Sequence, residues 1–277
     1  MSKKTLLAAT AVLTTSYLYY QQHRLSTLYP TYPIPSSLDP VNRSDNPFTT
    51  PNWMKSDAGD LWYFRTPRKV LRDDKAQSTT THTREELDSW TKAFWGSWPL
   101  KVEGRIIGLL TRFGLGVVTP HEGTKSEYDE RGRWKGTEVG TRLVGGGFTV
   151  DAVDHSPEAP RHICRWGSLT HSPTSSLFIR GGYHTLAILS PSTLPAASLP
   201  ASAQASDDDI LLVFASHAVY KRPVPPRINA QGEEEYVSAL DYIPDSTWRD
   251  RLLGRFHELY SRILIDLAVG RMGLSPG

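Results

Sequence analysis

A single cysteine, Cys164, in a chain of 277 residues excludes an intrachain disulfide and with it a disulfide-stapled fold. With no flanking motif to activate it, that thiol reads as a small buried hydrophobe. Charge of one sign is missing too: 31 lysines and arginines against 29 acidic residues leave +2, and no basic block stands out. No field exists to gather nucleic acid, and none is expected as a partner. Motifs that fix a reaction are absent. The chain has no Gly-x-Ser-x-Gly elbow, no His-Glu-x-x-His, no Walker loop and no cysteine pair, and no cofactor is expected. Gly145-Gly146-Gly147 lacks the spacing of a dinucleotide fingerprint and reads as a turn. Asp151, Asp154 and His155 could be an acidic pair with a histidine, but Ser156-Pro157 follows them, so they read as solvated turn residues and no metal site is expected.

What is present begins with an uncharged run from Thr5 to Tyr20, preceded by Lys3 and Lys4 and closed by Tyr17, Tyr19 and Tyr20. Sixteen residues at about 1.5 Å each give roughly 24 Å, a little short of a ~30 Å hydrocarbon core, with tyrosines where an interfacial belt would sit. Bulky residues at its end argue against a cleaved signal. The expectation is a single-pass membrane protein, of an endomembrane or mitochondrial membrane, with a transmembrane helix in residues 1–24 and membrane contact through residues 5–20. Residues 25–56, with prolines at 30, 33, 35, 40, 47 and 51, read as an extended stalk. Asn42-Arg43-Ser44 would be a glycosylation acceptor if the stalk crossed the membrane.

A mixed α/β domain is expected over residues 57–273. Asp60 to Thr66 is a short aromatic strand. Thr83-Arg84-Glu85-Glu86 is a capping box for a helix to about residue 95, and Val102, Ile106, Leu109 and Leu110 line a second helix that stops at Gly114. Runs at 139–144, 148–153, 162–169, 177–189 and 210–220 are rich in β-branched and aromatic residues and predict an antiparallel sheet. Residues 190–209 carry a Pro/Ala/Ser tract read as a disordered loop. A long helix from about 247 to 271 carries Trp248, Leu252, Phe256, Leu259, Ile263 and Leu267 as its core stripe.

Strand, two short helices, antiparallel strands and one long C-terminal helix is an order that resembles the START/Bet v 1-like superfamily, also called SRPBCC or helix-grip. The segments Ala93-Phe94-Trp95-Gly96-Ser97-Trp98-Pro99 and Arg255-Phe256-His257-Glu258-Leu259-Tyr260-Ser261-Arg262 are similar to an uncharacterised family within it. The resemblance implies an α+β fold in which a curved antiparallel sheet wraps the long helix and leaves an apolar cavity between them. Lipid carriers, hormone receptors and aromatic polyketide cyclases share that fold, so it does not choose a function.

Candidate site residues are polar groups inside strand runs. Arg180 and His184 fall on one face by strand alternation, with Phe178, Leu186 and Ile188. In a cavity they would orient a carboxylate, enol or phenol, the histidine exchanging a proton; facing solvent, they would do nothing. His217 shares its face with Leu211, Val213, Ala215 and Val219, as a catalytic group or a satisfied core histidine. His184 and His217 are the candidate catalytic residues, and Arg165, Trp166, Arg180, Tyr183 and Tyr220 the candidate ligand contacts. The leading expectation is a membrane-anchored binder or carrier of a hydrophobic small molecule or lipid. The alternative is a cofactor-independent cyclase or isomerase of natural-product (polyketide or terpenoid) biosynthesis. A third reading is an interaction module using exposed tryptophans.

Overall fold

The computed structural model describes residues 3–34, 38, 59–67, 79–112, 125–157, 159–167, 179–193, 209–220, 227–228, 231–232, 234–235 and 248–274. Gly59–Pro67 (β2) is a strand because both of its faces are apolar. Trp62 joins one buried cluster, and Leu61 and Tyr63 join another. A strand buried on both sides needs a continuous apolar run, which is what Leu61 to Phe64 supplies. It pairs antiparallel with Asp209–Tyr220 (β8) in unbroken register, Asp60 opposite Ser216 and Trp62 opposite Phe214. Ile179–Leu189 (β7), Arg161–Gly167 (β6), Phe148–Asp154 (β5) and Thr141–Leu143 (β4) continue antiparallel, and Lys125–Ser126 (β3) pairs parallel with β4. Tyr32–Pro33 (β1) adds to the free side of β2. The order is β1-β2-β8-β7-β6-β5-β4-β3, and a separate two-stranded ribbon joins Arg227–Ile228 (β9) and Glu234–Glu235 (β10).

Three helices cover one face: the end of Lys3–Leu28 (α1), then Thr79–Trp95 (α2) and Trp248–Arg271 (α4). Leu25, Tyr29, Leu87, Trp90, Phe94, Trp95, Leu264, Ile265 and Ala268 meet Trp62, Leu186, Ile188, Leu212 and Phe214 there. The opposite face holds a smaller cluster of Leu61, Tyr63, Ala187, Leu189, Leu211, Val213 and Ala215 under Leu38. Trp98–Arg112 (α3) lies at the margin, where Gly104 touches the backbone of Val144 and Gly145.

The structure corrects three expectations. Among the described residues, no helix is long and apolar enough to cross a membrane. Threonine, serine and tyrosine dilute the run from Thr5 to Tyr20 below what a span requires. α1 then continues through Arg24, which pairs with Asp266 of α4 at 2.7 Å. The single-pass topology, the membrane contact through residues 5–20 and the organelle-membrane location fall together. Second, the fold is α+β with a long C-terminal helix, but the sheet is open and not curled around that helix: its edges, β1 and β3, do not pair with each other. Third, the core stripe of α4 is displaced. Leu259 is buried and Ile263 packs against the core as expected, but Leu252 and Phe256 are 61% and 63% exposed, and the buried face also takes in Glu258, Ser261, Arg262, Ile265, Ala268 and Val269.

Leu25, Tyr29 and β1 fall in the segment read as a stalk. They pack into the domain, Tyr29 donating to Asp266 at 3.0 Å. Asn42 and residues 194–208, the greater part of the 190–209 loop, lie outside the described residues.

Candidate functional site

Strand alternation and register place a row of polar side chains on the helix-covered face. Cys164 of β6, His184 of β7, Ser216 of β8 and Asp60 of β2 are successive cross-strand neighbours. All four are buried, and α4 supplies His257, Glu258 and Arg262 above the row.

His184 stands at its centre. Phe148 and Phe214 lie with ring centroids 5.1 Å from the imidazole, Trp166 at 5.9 Å, His257 at 6.2 Å, and Trp95 at 6.4 Å and nearly parallel. Trp166 leans in because its cross-strand partner is Gly182, where a side chain would collide with the indole and with the His217 carbonyl. Trp95 is fixed at the end of α2, where Arg271 of α4 donates to the Gly96 carbonyl at 2.6 Å. Only 8% of His184 is exposed, and its Nε2 has no hydrogen-bond partner among the described residues. Burial, and then the neighbouring His257, push its pKa well below the ordinary imidazole value. His257 is lowered to about 4, by burial. Its Nε2 lies 3.2 Å from Ser216 Oγ. Two neutral imidazoles and a hydroxyl therefore meet inside an aromatic wall, a combination that can accept, hold and return a proton.

A cleft of ≈ 510 Å³ opens beside α3 and reaches the same wall from outside, lined by Trp95, Leu100, Lys101, Arg105, Glu127 and Tyr128 with the turn at Val144 and Gly145. That turn is strained. Val144 is β-branched yet has φ 53°, and Gly145 follows at φ 64°, where a Cβ would lie 2.4 Å from the Gly104 carbonyl oxygen. Val144 N–H donates to the Glu127 carboxylate, whose pKa is raised by burial.

The sequence-derived candidates divide between the two faces. His184 and Trp166 are on the helix side and touch. His217, 3% exposed, faces the other way with Tyr183 as its cross-strand neighbour, and Arg165 pairs with Tyr183 in turn. His217, Tyr183 and Arg165 form one row behind the sheet, so the two candidate catalytic histidines do not share a site. Side chains of Arg180 and Tyr220 lie outside the described residues. Cys164 is buried, with Sγ 3.6 Å from His162 Nδ1, and burial holds its thiol well above its usual range. Among the described residues, no group of three or more His, Cys, Asp or Glu is placed to hold a metal ion.

Sequence reasoning missed His257, Ser216 and Asp60. His257 was visible only as part of a segment resembling a family, and Ser216 as the residue before His217. The signal that could have found them is parity: Ser216 alternates with Phe214 and Leu212, so it must share their face.

No protein-family model, curated protein sequence or solved structure matches the chain. The resemblance to the START/Bet v 1-like superfamily takes no support from these comparisons. The membrane-anchored carrier does not survive the structure: among the described residues no helix is long and apolar enough to cross a membrane.

Proposed function

We propose that this chain is a cofactor-independent proton-transfer enzyme, an isomerase or cyclase in class, acting on an apolar substrate. The observation that carries the reading is His184: an imidazole buried among four aromatic rings, its Nε2 unpartnered among the described residues, 6.2 Å from a second neutral imidazole. A buried polar atom left without a hydrogen bond costs about 1–3 kcal/mol, and such a cost is sustained where function requires it. Nε2 takes a proton from an acidic C–H, and the resulting imidazolium is a strong acid in this setting, so it returns the proton readily to another carbon. Aromatic faces around the ring stabilise the transient cation. With His257 Nε2–H donating to Ser216 Oγ, the serine hydroxyl is free to donate to an oxygen that gains charge as the C–H bond breaks.

The test is deuterium incorporation from D2O into a panel of β,γ-unsaturated and polyketide-like ketones, followed by NMR with the full chain. His184→Gln is expected to reduce exchange by about 100-fold or more, within the usual span of general acid–base catalysis. His257→Gln should reduce it less. Circular dichroism and melting checks establish that both variants are folded. A panel that shows no exchange, or exchange that His184→Gln leaves unchanged, sinks the reading.

A further inference from the structure

The cleft beside α3 shares a wall with the surroundings of His184. Its inner wall is Trp95, and the same indole lies 6.4 Å from His184 with the two rings inclined by only 22°. Trp95 thus borders both the cleft and the imidazole. The rim is polar in a particular way. Lys101 and Arg105 stand one helical turn apart on α3, both exposed, and both line the cleft. Residues four apart on a helix share a face, so the two cations point along the same side. Glu127 on the facing wall takes the Val144 N–H and lies within electrostatic reach of Lys101. Arg105 makes no ion pair among the described residues. Below the rim the walls are apolar: Leu100, the ring of Tyr128, and Trp95. A pocket of this size with an apolar body and a few polar groups at one end fits an amphipathic small molecule.

We propose that this cleft binds a carboxylate-bearing apolar molecule, Lys101 and Arg105 holding the carboxylate at the rim while the apolar body lies against Leu100, Tyr128 and Trp95. That this molecule is the substrate of the imidazole site rests on the proton-transfer reading above. The geometry then gives Trp95 a positioning role, as the ring that borders both the cleft and His184. Backbone contact between Gly104 and the Val144–Gly145 turn fixes the rim against the facing wall. The two cations are thus held at a set distance from the apolar floor.

Isothermal titration of the full chain with 2-naphthoate, and with neutral 2-naphthylmethanol as its match, tests the proposal. Naphthoate is expected to bind at least about tenfold tighter, the discrimination that one charge-assisted hydrogen bond supplies. Lys101→Gln together with Arg105→Gln should abolish that preference without lowering Tm, because both side chains are exposed. Naphthoate should also shift the His184 ring signals in NMR spectra of the wild-type chain. Equal affinity for the two probes, no binding of either, or a preference that survives the double substitution overturns the proposal. His184→Gln separates it from the catalytic reading. If naphthoate binding depends on the rim pair while exchange is indifferent to His184, the cleft stands and the proton-transfer reading falls. If exchange depends on His184 while the rim pair has no effect on binding, the cleft alone falls.

Discussion

Two polar patches lie beneath α4, little more than a turn apart, and they differ in how many hydrogen bonds they make. In one, Arg262 donates to the Tyr29 carbonyl at 3.1 Å and to Thr31 Oγ1 at 2.7 Å, and lies 3.8 Å from Glu258, which also takes Arg255 at 3.2 Å. Asp60 adds a second buried carboxylate within electrostatic reach of Arg262. This patch is a clasp that ties the segment after α1 to the helix. In the other, His184, His257 and Ser216 share one contact of 3.2 Å, and His184 Nε2 ends in an aromatic wall. The first patch, though Arg262 Nη1 lacks a hydrogen-bond partner there too, is the more connected and fixes the fold; the second, more open one holds groups ready to react.

The sharpest way to break that division is to open the more connected patch. Arg262→Met keeps most of the volume and removes the charge, leaving Glu258 and Asp60 buried with less compensation. The expected loss is about 3–5 kcal/mol, measured by urea denaturation of the full chain. Ser216→Ala, in the open patch, should lose no more than about 1 kcal/mol. If the two variants cost the same, the patches do not differ in kind.

Acid sharpens the comparison. His162, fully buried with Nε2 2.7 Å from the Gly136 carbonyl oxygen, has its pKa lowered to about 4 by burial, as has His257, and His184 lies well below the ordinary value. Released by unfolding, each would protonate near 6.5, so the unfolded chain binds more protons than the folded one between about pH 6.5 and 4. Stability present above pH 6.5 is therefore lost as pH falls through that window, on the order of 3 kcal/mol from His162 alone. Denaturation midpoints measured from pH 7.5 down to 4.5 should fall steeply. Replacing His162 and His184 by leucine should flatten the decline, and a flat profile in the wild-type chain would show that these imidazoles are not buried neutral.

The sequence made the sheet legible because apolar runs between turn residues dominate it: the expected strands at 60–66, 148–153 and 210–220 stand within a residue or so of β2, β5 and β8. The helices were harder, since their buried faces are partly polar. On α4 the hydrophobic stripe picked out Leu252 and Phe256, both exposed, because the buried face spends its positions on Glu258, Ser261 and Arg262. A charge inside a core has no periodic signature of its own. α3 misled in the same way: Val102, Ile106 and Leu109 face outward, and the helix meets the domain through Leu100 and Gly104. The N-terminal run looked long enough to span a membrane because counting uncharged residues ignores the polarity of threonine, serine and tyrosine. Of the candidate residues, the sequence named His184 and Trp166, which the structure brings into contact. It paired them with His217 because proximity in sequence does not say which face a strand residue occupies unless its parity against known core residues is counted.

The smallest expected effect discriminates best. His162 and His184 lie on the same sheet face, both buried and each with its ring 6.4 Å from Trp95. They differ in hydrogen bonding at Nε2: His162 has a partner in the Gly136 carbonyl, whereas His184 Nε2 has none among the described residues. Replacing both members of a buried polar contact is nearly neutral, but removing one member strands the other. His162→Leu strands a carbonyl and should cost about 1–3 kcal/mol, with proton exchange per folded molecule retained. His184→Leu strands nothing and removes an atom whose desolvation was uncompensated, so its stability should change by less than about 1 kcal/mol, in the stabilising direction. Exchange should disappear in the same variant. A large destabilisation by His184→Leu would mean that the imidazole is a satisfied core group after all, and that the helix-covered face carries no reactive centre.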